Sequence, residues 1–228
     1  MTRPLRTTVA ALVLALVAAH PSLADDAATP LSNEQLPVLM FVDQGRAYGY
    51  QTMMARIHLD TVKAELARDR AILQQNEARY QKNAIALIDL ETSQLKDAWN
   101  RKQLIVAEKS LDFVSAQYEA MHRMAEHFAG AEVSLETLYA TFRRGWEAGC
   151  DKGPDEVVAM KAWVDYAAKS LERARQLNAE GNAPDSVVLE RQAQLEIARS
   201  NHANRRAGLE KCRTVLFPTL QQIMAIGR

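Results

Sequence analysis

Gly181-Asn-Ala-Pro-Asp-Ser-Val-Val-Leu-Glu-Arg-Gln-Ala-Gln-Leu-Glu-Ile-Ala-Arg199 decides how this chain folds. A run of helix formers ends at Gly181, a residue free to take the left-handed conformation that closes a helix. Pro184 has no backbone N–H and cannot continue the preceding helix. Asp185 or Ser186 can then cap a new helix by accepting from its first unpaired N–H groups. The stretch therefore reads as the tip of an antiparallel helical hairpin.

Two further breaks repeat the pattern. Asn83-Ala84-Ile85-Ala86 interrupts one helical run and Gly130 another, with Ser134 and Thr137 placed to start the helix that follows. With Ala84, Ala131 and Ala183 as markers, the breaks lie 47 and 52 residues apart. Between them, apolar residues keep strict 3,4 spacing, the signature of a narrow coiled-coil seam. Leu59, Val62, Leu66, Asp69, Leu73, Asn76 and Tyr80 form the first seam. Leu104, Ala107, Leu111, Val114, Tyr118, Met121, Ala125 and Phe128 form the second. The polar Asp69 and Asn76 cost stability there but can fix register. Val157, Met160, Val164, Ala167, Leu171, Ala174 and Asn178 carry the third seam, and Leu195, Ala198, His202, Arg205, Leu209, Cys212 and Leu216 the fourth. Gly149-Cys150-Asp151-Lys152-Gly153-Pro154 is a defect inside the third helix.

The expected fold is all-α: an elongated antiparallel four-helix bundle of two long helical hairpins, the third helix interrupted. Helices of this length are roughly 60–70 Å long at 1.5 Å per residue. Short connections make them run up-down-up-down, which sends the first and third breaks to the same end. Sparse glycine (9) and proline (7) in 228 residues agree with long helices. Folding about residue 183 puts Cys150, 33 residues before it, near Cys212, 29 residues after it. The offset of four residues is about 6 Å of helix rise, which the defect can absorb, so a Cys150–Cys212 disulfide is expected.

Residues 1–24 read as a secretory signal peptide. Arg3 and Arg6 precede an apolar run from Val9 to Ala19, and Ser22-Leu23-Ala24 is a small-x-small cleavage site. A disulfide fits an exported compartment, and the expected location is the periplasm after cleavage behind Ala24. Residues 25–50 read as a leader and helix start, uncertain over 37–50 because of Pro37, Gly45 and Gly49, with Phe41, Tyr48 and Tyr50 as packing groups. Residues 51–228 form the hairpin bundle. Formal net charge is zero, so no nucleic-acid partner is expected, and no segment of the mature chain is apolar enough for a transmembrane helix.

Catalysis has no support: the chain lacks a Gly-x-Ser-x-Gly elbow, a phosphate-binding Gly-rich loop and a His-Glu-x-x-His pair. Met121-His122-Arg123-Met124-Ala125-Glu126-His127 gathers ligands that suit copper. However, Met121 belongs to the seam, and His122 and His127, five apart, do not share a face. No metal, cofactor or catalytic residue is expected, and a copper binder is kept as an alternative. The tips carry the functional reading, because loops displayed by a rigid scaffold are where binding residues concentrate. These are Asn83, Ala84, Ile85 and Ala86 at one break, and Asn182, Ala183, Pro184 and Val187 at the other.

Gly181 with Val188-Leu189-Glu190-Arg191-Gln192-Ala193-Gln194-Leu195 and Ala198-Arg199 resembles the hairpin-tip motif of outer membrane efflux proteins (TolC-like). Asn83-Ala84-Ile85-Ala86-Leu87-Ile88-Asp89-Leu90-Glu91 resembles the tip of membrane-fusion adaptor hairpins (HlyD-like), with Ala86 where the family has serine and Arg79 where it has leucine. The barrel and lipoyl parts of those families are missing. What the resemblance implies is an accessory, protein-binding component of a cell-envelope efflux or secretion system, meeting envelope proteins or further copies of itself through its tips. A periplasmic chaperone or stress protein is the alternative from another class, and a minor pilus-type subunit a further one.

Overall fold

The computed structural model describes residues 35–226; the expected signal peptide and the start of the leader lie outside the described residues. Everything regular among the described residues is helical. The order is α1 (Gln35–Gln81), α2 (Leu87–Phe128), α3 (Leu135–Asp151), α4 (Gly153–Ala179), α5 (Asp185–Thr214) and α6 (Leu220–Ile226). The expected all-α architecture of long antiparallel hairpins is what forms. α3 and α4 together make the interrupted third rod, and only Lys152 separates them. The interruption is narrower than the run of glycines suggested: α3 passes through Gly149 and Cys150, and Pro154 sits in the first turn of α4, where its missing N–H leaves no bond unmade.

α1 begins earlier than expected. The stretch 37–50 is helical throughout. Its two glycines lie against α2: a β-carbon on Gly45 would stand 3.8 Å from Met121 and one on Gly49 3.4 Å from Tyr118. Glycine here marks a close helix–helix approach and not a turn. Phe41 stacks on Phe128 with ring centroids 5.5 Å apart. Tyr50, expected to pack, faces solvent at 60% exposure.

The rods contact one another in chain order. α1 packs on α2, α2 on α3 and α4, and α4 on α5; α1 has no more than incidental contact with α4 or α5. The array is therefore open, with α1 and α5 at its margins. α2 lies between two neighbours and needs two buried faces. Ala107 faces α1, with Leu59 and Val62 opposite and Leu104 and Leu111 packed beside them. Its second face was not read from the seam pattern. It carries Ala116 and Ala120, both buried, and Trp99, whose ring stacks on Trp163 (5.9 Å) and Tyr166 (5.8 Å) of α4. Between α4 and α5 the core is Ala167, Leu171, Leu195 and Ala198.

The seam polars found partners across the α1–α2 interface. Asn100 Nδ2 donates to Asp69 Oδ2 at 2.7 Å, and Asn76 Nδ2 donates to Ser93 Oγ at 2.6 Å. Pairing offsets the cost of burying polar groups, and a slip of one residue would unpair both. Asp97, on α2, is the second buried carboxylate beside Asp69 of α1; Arg101 and Arg70 flank it.

Cys150 and Cys212 form the expected disulfide, with α-carbons 5.6 Å apart. It ties the end of α3 to the last turn of α5. The fourth rod is shorter than expected. α5 stops at Thr214, four residues before Pro218, which leaves Leu216 85% exposed and not in the seam. The chain then crosses α3, where Phe217 packs on Tyr139 and Trp146, and the Tyr139 hydroxyl donates to the Pro218 carbonyl at 3.2 Å.

Candidate functional site

All three turns use one device. At the first, Asn83 takes φ 53°, its N–H donates to the Tyr80 carbonyl (2.8 Å), and that of Ala84 donates to Arg79 (2.8 Å). At the third, Gly181 takes φ 74°, its N–H reaches Asn178 (2.9 Å), and that of Asn182 reaches Leu177 (2.7 Å). Gly130 repeats the arrangement at the second turn, with φ 91° and bonds to His127 and from Ala131 to Glu126. Each is a Schellman closure, in which a left-handed residue lets two N–H groups turn back onto the last free carbonyls of the helix.

The next helix starts differently at each turn. Ser134 Oγ accepts from the Thr137 N–H at 3.2 Å and caps α3 as its sequence promised. At the third turn the capping position is Pro184, not Asp185 or Ser186, and no side chain caps the helix. Asp185 is instead the first helical residue. Its carboxylate accepts from Asn178 Nδ2 at 2.8 Å, while the same amide reaches the Ala183 carbonyl at 3.0 Å. One asparagine thus clamps both sides of the turn.

The first and third turns lie at one end of the rods. Arg173, near the end of α4, makes a two-pronged bond to Asp89 in the first turn of α2, at 2.6 and 2.9 Å. One helical turn further from the tips, Lys169 pairs with Glu91 at 2.8 Å. Hydrogen bonds to Glu91 and then Glu172 raise the Lys169 amine above its ordinary range. Asp89 and Arg173 are each less than one-third exposed, and bonds of this planar, charged kind hold both distance and orientation.

The two turns do not present all of their residues outward. Ile85, Ala183 and Val187 are half-buried and fill the turns from within; Asn83, Ala84, Ala86, Asn182 and Pro184 are exposed. Two exposed leucines belong to this end and were missed: Leu87 at 51% and Leu189 at 65%. Leu189 stands in the motif quoted for the third turn but off the α4–α5 seam, and that combination was the available signal. The end of the molecule therefore shows a small apolar surface, Ala84, Ala86, Leu87, Pro184 and Leu189, on a cross-tied base.

The histidine and methionine run lies at the opposite end of α2. His122 stacks on Tyr118 and faces Glu126 at 3.3 Å, whereas His127 Nδ1 faces the Val133 carbonyl at 3.2 Å. Met121 is buried against Gly45. The ligand types do not converge. No described helix is long and apolar enough to cross a membrane. Compared with protein-family models, curated proteins and solved structures, the chain matches none.

Proposed function

We propose that this protein is an interaction component of a cell-envelope efflux or secretion system, and that it binds a protein partner end-on through its paired tips. The observation that carries the reading is the cross-tied end: two turns from distant parts of the chain, held side by side by Arg173–Asp89 and Lys169–Glu91. A rigid end with exposed aliphatic side chains matches what docking surfaces need. The loops are pre-ordered, so little entropy is lost on binding, and an apolar centre is rimmed by charge. The TolC-like and HlyD-like likenesses of the same two segments lead to the same end of the molecule. In this reading the chain is not an enzyme, and an exported, periplasmic location supplies the setting.

The test is a photo-cross-linking residue at position 84 or 189 in cells that make the protein, with position 108 on the exposed flank of α2 as control. The expected result is one envelope export component captured from both tips and not from 108, and lost in Ala84→Glu and Leu189→Glu. Equal capture from all three positions, or capture unaffected by the glutamates, would overturn the proposal.

A further inference from the structure

The charges at the cross-tied end are sorted by sign. Within one helical turn on either side of the first break, over 79–90, the charged residues are Arg79, Lys82 and Asp89; over 177–188, around the third, they are Glu180 and Asp185. Asp89 is neutralised by its two-pronged bond from Arg173. What remains is basic on one turn and acidic on the other, and all four residues are exposed. Arg79 and Lys82 have no ion-pair partner among the described residues. The two carboxylates are held by their own turn: Glu180 accepts from Asn182 Nδ2 at 3.2 Å and Asp185 from Asn178 Nδ2 at 2.8 Å. Further from the tips the signs mix, with Glu77 before the first turn and Arg175 before the third. The separation is therefore confined to the end that carries the exposed aliphatic side chains.

We infer that the partner is a protein whose docking end carries carboxylates opposite the first turn and basic side chains opposite the third; this rests on the end-on docking proposed above. The four charges sum to zero, so the end attracts neither a polyanion nor a uniformly basic surface as a whole. Neighbouring helices lie about 10 Å apart, beyond the screening length of about 8 Å at physiological salt, so each turn is felt separately. A surface of one sign gains at one turn and is repelled at the other. A partner of reversed polarity gains at both, and in one orientation only: turned half round about the long axis of the rods, it brings like charges together. Complementary charge across an interface fixes register and rejects wrong partners in this way. The ties between the turns keep the two signs on their own sides of the end.

Photo-cross-linking in cells from positions 84 and 189 tests this when the charges are changed one turn at a time. Arg79→Glu/Lys82→Glu makes the whole end acidic, and Glu180→Lys/Asp185→Asn makes it basic while position 185 keeps an acceptor for Asn178. The changed side chains are all exposed, and the helical circular dichroism signal of each purified variant stays as in the native chain. Each variant lowers the captured yield by about fivefold or more. Mass spectrometry of the captured protein finds Asp or Glu beside the residue linked to position 84, and Lys or Arg beside the residue linked to position 189. Capture that survives both sets of changes, loss in only one of them, or linked peptides without those charges would overturn the polarity and leave end-on docking standing. Further copies of this chain as the captured species would overturn the assignment to a different protein. No capture from either native tip would overturn the docking reading and this inference together.

Discussion

Asp69 shows how one polar side chain inside an apolar seam can be an asset. Burial pushes its carboxyl upward, but hydrogen bonds from Arg68 and Asn100, with the nearby charges of Arg68 and Lys96, outweigh this and hold it below the ordinary carboxylate range. A carboxylate whose folded pKa is depressed contributes stability that is present above the unfolded value and is lost as pH falls through the folded one. Acid unfolding of the native chain should therefore steepen below the ordinary carboxylate range. Asp69→Asn should be less stable at neutral pH by about 1–3 kcal/mol, the cost of weakening a buried charged hydrogen-bond set, and should lose that part of the acid dependence. Denaturant titrations at neutral and acid pH read both, and parallel pH profiles for the two proteins would contradict the assignment. The left-handed residues make a simpler case. A β-carbon on Gly181 or Gly130 meets nothing within 4 Å, so alanine at either position should cost only the backbone strain, about 1–2 kcal/mol, seen as a lower thermal midpoint. No change at either site would argue against the turn geometry.

At the scale of the element, the periodic seams were plain in the sequence because a helix with one buried face repeats its apolar residues every three or four positions. The three turns were equally plain, since a left-handed closure needs glycine or asparagine. What escaped was whatever a single seam cannot encode. α2 has two buried faces, and its second is made of Ala116, Ala120 and Trp99, small or isolated residues that leave no stripe. Gly45, Gly49 and Gly149 look like breaks on paper, yet they are contact points within helices: a β-carbon on Gly149 would stand 3.0 Å from the Phe113 ring. The end of α5 at Thr214 and the crossing of Phe217 over α3 depend on tertiary packing. The tips were located correctly, but which of their side chains face outward could not be told from order alone. Nor could the Arg173–Asp89 tie, whose partners lie 84 residues apart.

The disulfide belongs to this scale as well. It joins residues 62 apart, and closing a loop of that size is worth about 4 kcal/mol in the chain-entropy account. Reduction should lower the denaturant midpoint by a corresponding amount and speed hydrogen exchange first in the last turns of α5. An unchanged midpoint would mean that the reduced, unfolded chain retains the same constraint.

For the whole molecule, the open row of rods assigns different faces different work. The cross-tied end gathers two turns and a few exposed aliphatic side chains; the margin at α1 carries exposed apolar side chains; the interior carries only enough apolar surface to hold neighbours together. Arg173→Ala should loosen the end without unfolding the rods, at a cost of about 1 kcal/mol for a half-buried charged pair. Faster amide exchange over residues 84–90, with unchanged protection at Leu195 and Ala198, would record it.

The account rests on the first and third turns emerging together. Spin labels at Ala84→Cys and Ala183→Cys, with the native disulfide intact, measure this most directly by double electron–electron resonance. The distribution should centre well under about 30 Å, as neighbouring helices about 10 Å apart require. A distance near the length of the rods, about 60 Å at 1.5 Å per residue, would place the two turns at opposite ends and contradict it.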